Sequence, residues 1–226
     1  MVTSLRALGG ETLVYQYTAL GDSLTTGFGA LPGSGFVPVY RRMSEVALRS
    51  FVAYTNLGVN GLTTSELEQR VRYHPLFRQS IREADLITVS IGGNDLIHAA
   101  REAGGQSRSS QAVFDRALQE SKGHLAAVMS RIYQEKQGAS NPWLVRIVGL
   151  YNPYPQMAGA SDWVQRFNRQ LAQYCGRECA FADIYDSFAG HERELLSIDR
   201  LHPNGRGYRL IADRLQSLGY SRLLRS

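Results

Sequence analysis

The chain has 226 residues, 43% hydrophobic and 20% charged, with a formal net charge of +5. That length suits one α/β domain with a full core, and the composition excludes collagen-like, low-complexity and disordered classes. Only Lys122 and Lys136 are lysines, so the positive balance rests on arginine. The arginines are scattered (Arg41, Arg42, Arg70, Arg72, Arg78, Arg82, Arg206, Arg209) rather than set in a stripe with interleaved aromatics, which argues against a nucleic-acid partner.

In chain order, residues 13–20 are predicted as a strand, with Val14, Tyr15, Tyr17 and Thr18 favouring it. Helical spacing over 37–50 follows the Gly33-Ser34-Gly35 loop, and 51–57 form a second strand. Helices are expected at 65–72, started by Thr63, Thr64 or Ser65 as N-cap, and at 75–83. Residues 85–91 (DLITVSI) form a third strand, apolar enough to be buried on both faces as parallel strands are. The stretch 103–110 reads as a loop leading into a long helix over 111–135. A fourth strand at 143–150 ends in Tyr151-Asn152-Pro153-Tyr154-Pro155. A helix at 161–174 begun by Ser161 or Asp162, a fifth strand at 179–184 and a last helix over about 204–218 complete the pattern.

Strands alternate with helices, with no composition break or internal repeat. This predicts one domain over 1–226, a three-layer α/β/α unit on a five-stranded parallel sheet of flavodoxin-like order 2-1-3-4-5. Cys175 and Cys179 have no further ligands at metal-binding spacing, so no metal is expected. One turn of helix between them would allow a disulfide; two unpaired thiols are the preferred reading. The N-terminal segment lacks an apolar signal-peptide core, and no apolar run approaches the ~20 residues of a membrane span. A cytoplasmic location is the expectation for such a start.

Ligands of doubly wound sheets bind at the carboxyl ends of the strands, near the switch point. After the first strand comes Gly21-Asp22-Ser23, after the second Asn56-Leu57-Gly58-Val59-Asn60-Gly61, after the third Gly92-Gly93-Asn94-Asp95. In the predicted order Gly61 and Asn94 converge on Ser23 from either side. Asp199-Arg200-Leu201-His202 lies just before the last helix, where its imidazole would reach Ser23.

These segments resemble the SGNH hydrolases, or GDSL esterases and lipases. Four blocks occur in family order: GDSL at 21–24, the glycine of GVNGLT at Gly61, GGND at 92–95 and DRLHP at 199–203. Alone, His202 would read as a helix-capping surface histidine, Gly61 as a turn glycine and Asn94 as an Asx-turn; the ordered set of four is what carries the resemblance. It implies a serine hydrolase cleaving carboxylic esters through an acyl-enzyme. Ser23 would be nucleophile, His202 general base and Asp199 the group that orients the imidazole. The oxyanion donors would be the N–H groups of Ser23 and Gly61 and the side-chain amide of Asn94. Asp22 and Asp95 are read as loop-organising groups, and His74, His98, His124 and His191 as structural or solvated. No cofactor is required. Family members of this kind include bacterial esterases and spore-associated germination lipases, so spore association stands beside the cytoplasmic expectation.

Apolar residues near the strand ends are candidates for the substrate wall: Phe28, Leu31, Phe36, Leu62, Leu96, Tyr151, Asn152, Tyr154 and Met157, with Val37 beside them. Such a wall favours acyl or aromatic esters over free sugars. Two alternatives remain: a carbohydrate O-deacetylase of the same family, and a flavodoxin-like flavin- or phosphate-binding module using the hydroxyls of Ser23, Thr25 and Thr26. The second leaves Asn94, Asp199 and His202 unexplained.

Overall fold

The computed structural model describes residues 14–104 and 107–225. Strand β1 (Val14–Gly21) runs into a one-turn helix α1 (Ser23–Thr26), followed by α2 (Phe36–Leu48) and β2 (Phe51–Gly58). Helices α3 (Thr64–Tyr73) and α4 (Pro75–Glu83) lead to β3 (Leu86–Ser90). Then come α5 (Gly93–Ala103), α6 (Ser107–Glu135), β4 (Leu144–Val148), α7 (Ala160–Ala172) and β5 (Cys179–Ala182). The short helices α8 (Tyr185–Phe188) and α9 (Glu192–Leu195) precede α10 (Gly205–Ser217).

The sheet is parallel throughout, in the order β2-β1-β3-β4-β5, as the alternation of elements predicts. Its register matters for function. Gly21 pairs with Gly58 and with Ser90, and Ser90 pairs with Val148, which in turn pairs with Ala182. All five strands therefore end level, and the loops that follow them share one edge. The chain leaves β1 for β2 on one side and returns as β3 on the other, so the switch point lies directly beyond Gly21.

Two apolar layers cover the sheet. One gathers residues of α3 to α7 around Ile87, Val89, Val145 and Ile147. The other gathers α2, α8 and α10 around Tyr17, Ala19, Val52 and Val148. β3 and β4 are buried at every position, and their apolar residues are interrupted only by the buried Thr88, Ser90 and Arg146.

Several expectations need correction. Residues 93–103 form α5, a helix not among those expected from the sequence. Gly92 serves as N-cap with φ 112, and the helix formers behind it carry the chain on. Helix α6 begins at Ser107, not 111; residues 105–106 of the expected loop lie outside the described residues, as do 1–13. The cap of α7 is Gly159, without a side-chain hydrogen bond, rather than Ser161 or Asp162. Thr63 does cap α3, in a reciprocal capping box with Glu66. Cys175 and Cys179 are free thiols.

The arginines are largely engaged within the fold. Arg78, Arg82 and Arg131 converge on Glu135, and Arg41 pairs with Glu45. Among the described residues no helix is long and apolar enough to cross a membrane, and no cluster of three or more His, Cys, Asp or Glu could hold a metal ion.

Candidate active site

The end of β1 shows why a buried strand stops at small residues. A Cβ at Gly21, whose φ is 146, would stand 2.0 Å from the Ser90 carbonyl oxygen, so only glycine lets β1 and β3 close at this level. Asp22 then donates its N–H to that same carbonyl at 3.1 Å. Its carboxylate accepts from Leu24 N–H at 3.0 Å and caps the single turn of α1. Ser23 is the first residue of that turn, so its hydroxyl is fixed at the sheet edge.

The hydroxyls behind it serve the fold. Thr25 is hydrogen-bonded to Ser90 at 2.7 Å and to the Leu20 carbonyl, while the single Thr26 hydroxyl proton is shared between the Ser23 carbonyl at 2.9 Å and Asn60 Oδ1 at 2.7 Å. That leaves neither threonine hydroxyl turned outward to cradle a phosphate.

His202 Nε2 lies 2.9 Å from Ser23 Oγ, and its Nδ1 lies 2.6 Å from Asp199 Oδ2. A carboxylate can only accept, so Nδ1 carries the proton and Nε2 is left as an acceptor for the Ser23 hydroxyl. The other Asp199 oxygen accepts from the N–H groups of Leu201 and His202, both at 3.0 Å, and from the Ser197 hydroxyl at 2.7 Å. Partial burial works against the charge on Asp199, but these bonds outweigh it and hold the carboxyl well below the usual range. Arg200 takes φ 54 within this turn, an uncommon conformation for a residue with a side chain. The loop is anchored from below by Tyr151, whose hydroxyl donates to the Leu201 carbonyl at 2.5 Å.

Gly61 and Asn94 line the same cavity as Ser23. Gly61 has φ 80, and a Cβ there would meet nothing within 4 Å, so the space beside its α-carbon is open. Gly58, the other glycine of that segment, is held in β2 against Thr26. Asn94 donates one amide hydrogen to the Leu62 carbonyl at 2.9 Å, leaving the second for the cavity. Asp95 is turned away, accepting from Thr64 and Ser121 to tie α5 to α3 and α6.

A cavity of about 570 Å³ opens beside Ser23 and His202. Of the residues expected to wall it, Phe28, Leu96, Tyr151, Asn152, Tyr154 and Met157 do. Three do not. Phe36 is fully buried at the start of α2, its ring 6.5 Å from that of Tyr208, and Val37 is buried beside it. Leu62 is buried in the layer under α3. Leu31 is 78% exposed, outside the cavity. Sequence reasoning missed Ile97, Ala100, Phe114, Trp163 and Val164, which supply much of the apolar wall from α5, α6 and α7. Phe114 and Trp163 stack with rings 3.4 Å apart. Their helical spacing matches that of core residues, so no sequence signal separates them from core. His98 does not reach the cavity. His124 does have an acidic partner, Glu68 at 2.7 Å, contributed by a different helix.

Asp22 is 2% exposed, and burial raises its carboxyl to about 7 despite the bonds from Leu24 and Ser90. The unfolded chain releases this proton near the ordinary value, about 3.9. Between the two values the native state holds a proton that the unfolded chain has lost. Stability therefore falls as pH rises from about 4 to about 7, and the penalty persists above. Asp22→Asn keeps the oxygen that caps α1 and removes the charge. The variant is expected to be more stable than the parent at pH 8, by at most roughly 4 kcal/mol, with no gain near pH 4. Thermal unfolding at the two pH values checks this; an equal shift at both would contradict the buried-charge account.

A hydroxyl, an imidazole and a carboxylate in one hydrogen-bonded line, at the edge of a doubly wound sheet and beside an apolar cavity, form a site fit for acyl transfer. The profile of the GDSL-like lipase/acylhydrolase family matches residues 19–210. The spore germination lipase LipC of Bacillus licheniformis is 36% identical over 213 residues, spanning 93% of this chain and 99% of that protein. The crystal structure of the lipase Lip_vut3 from a goat rumen metagenome superposes with a TM-score of 0.87 at 36% identity, covering 92% of this chain and 99% of that one. An acetylxylan esterase from Geobacillus stearothermophilus shares the fold at 18% identity, with a TM-score of 0.65 over 94% and 97% of the two chains. The chain belongs to the GDSL-like lipase/acylhydrolase family. It is a carboxylic ester hydrolase.

Proposed function

We propose that the chain cleaves esters of medium-length or aromatic acyl groups through an acyl-enzyme on Ser23. The single observation that supports this best is the Asp199–His202–Ser23 hydrogen-bonded line at the mouth of the apolar cavity. In this reading Ser23 Oγ attacks the ester carbonyl as His202 Nε2 takes its proton. The oxyanion accepts from the N–H groups of Ser23 and Gly61 and from the Asn94 amide. Collapse expels the alcohol, protonated by His202. Water then repeats the sequence on the acyl-enzyme, with the same base and the same donors. Asp199 holds the Nδ1 proton and stabilises the imidazolium in both halves.

The acyl group occupies the wall formed by Leu96, Phe114, Trp163 and Val164. Each CH₂ buried there contributes about 0.8 kcal/mol, so kcat/KM is expected to rise from the acetyl to the octanoyl p-nitrophenyl ester by on the order of 10³-fold when all the added methylenes are buried, then level off. A panel of esters from two to sixteen carbons, with acetylated xylan alongside, tests this. Fastest turnover on acetyl esters, or on the acetylated glycan, would replace this reading with a deacetylase. A setting in spores is carried over from the name of the Bacillus licheniformis relative as part of the same proposal.

A further inference from the structure

Around the cavity mouth the surface is apolar where the fold itself gains nothing from it. Ile198, beside Asp199, is fully exposed, and Leu31 is 78% exposed. Phe28, Tyr154 and Met157 line the cavity yet stay 49%, 38% and 38% exposed. The loops bearing Leu31 and Ile198 are packed edge to edge. The Phe28 ring sits 4.7 Å from that of His202, and a Cβ at Gly29 would stand 2.9 Å from His202 Cβ and 3.0 Å from the Ser197 hydroxyl. Leu31 and Ile198 thus flank one lip of the mouth.

That lip is held in place. Tyr208 donates to the Phe28 carbonyl at 2.7 Å, Tyr151 to Leu201, and one Asp199 oxygen gathers three donors around itself. Apolar side chains presented on such a frame mark an interaction surface. Charge indicates the partner. Residues 27–35, 151–160 and 197–206 contain one acidic residue, Asp199, which is bonded to His202. They also carry Arg200 and Arg206, both exposed, and Arg42 reaches in to the Gly33 carbonyl. Guanidinium groups bind phosphate bidentately.

We propose that this rim docks the enzyme on a lipid surface bearing anionic phosphate headgroups, with Leu31 and Ile198 inserting and Arg200 and Arg206 meeting the headgroups. The proposal rests on the acyl-site reading only in taking the cavity to receive its substrate from that surface. The test separates the two by using vesicles of ether-linked phosphatidylglycerol and phosphatidylcholine, which offer no ester to cleave. In flotation, the full chain is expected to bind the mixed vesicles and to bind pure ether-phosphatidylcholine more weakly, by about fivefold for each arginine engaged. Leu31→Ser/Ile198→Ser is expected to weaken binding at least about tenfold, while leaving kcat/KM on soluble p-nitrophenyl butyrate unchanged. Absence of binding to both vesicle types, equal binding to both, or binding indifferent to the double variant would overturn the proposal. A double variant that instead converts a dimer to a monomer on gel filtration would overturn it too, assigning the rim to a second copy of the chain.

Discussion

Ser23→Ala is expected to lose ester hydrolysis almost completely, with kcat on p-nitrophenyl butyrate down at least about 10⁴-fold, while the fold survives. The expectation of survival is structural. The Ser23 hydroxyl is hydrogen-bonded to His202 Nε2, whereas α1 is held by the Asp22 cap, by Gly27 in the left-handed conformation and by the Thr25 and Thr26 hydroxyls. Removing one oxygen leaves those bonds intact. A small residual rate is also expected, because backbone N–H groups and the Asn94 amide would still polarise a bound carbonyl for attack by water. Unfolding curves measured beside the kinetics separate the outcomes. A variant that melts like the parent and turns over at the parent's rate would remove Ser23 from the chemistry. Loss of activity with loss of structure would leave its role to be shown by covalent labelling of the parent with a phosphonate ester.

The fold was legible because its signals are local and redundant. Apolar runs such as 85–91, bounded by Gly-Gly and by charged helices, mark buried parallel strands whatever their neighbours. The alternation of elements implies a parallel sheet, five strands suit the flavodoxin-like order, and the register then brings the ends of β1, β2 and β3 level. Residues placed just after those ends, such as Ser23, Gly61 and Asn94, are brought to one edge by topology, so motifs more than thirty residues apart could be read together.

What stayed hidden depends on what an apolar side chain faces. Phe36 follows the Ser23 loop in sequence yet turns into the layer beneath α2, while Phe114, more than ninety residues from Ser23, stacks on Trp163 across the cavity. Periodicity says that a helix face is apolar; it does not say whether core or empty space lies opposite. The His124–Glu68 pair shows the same limit for polar groups, since it joins α3 to α6 and no local spacing announces it. Helix α5 was obscured differently. Gly92-Gly93-Asn94-Asp95 has turn chemistry, and only in the assembled fold does Asp95 bond Thr64 and Ser121 and so fix the first turn.

Asp199→Asn is the second change expected to act at the scale of about 10⁴ in kcat, and it separates two roles that the carboxylate combines. One oxygen organises the loop, accepting from Ser197, Leu201 and His202 N–H; the other faces His202 Nδ1 at 2.6 Å. An asparagine keeps an acceptor for the loop but can present an amide N–H to the ring. Nδ1 would then accept, the ring proton would move to Nε2, and the atom 2.9 Å from the Ser23 hydroxyl could no longer take its proton. In the parent the hydrogen bonds that hold the Asp199 carboxyl well below the usual range keep it ionised at any pH where the fold is sound. Its protonation is therefore not expected to shape the pH–rate profile. The measurement is kcat and KM for Asp199→Asn beside Asp199→Ala, with unfolding curves for both. The expected pattern is a large fall in kcat for each, little change in KM, and a loss of stability confined to the alanine variant. An asparagine variant within tenfold of the parent would mean that the carboxylate only shapes the loop, and that His202 finds its orientation from another group.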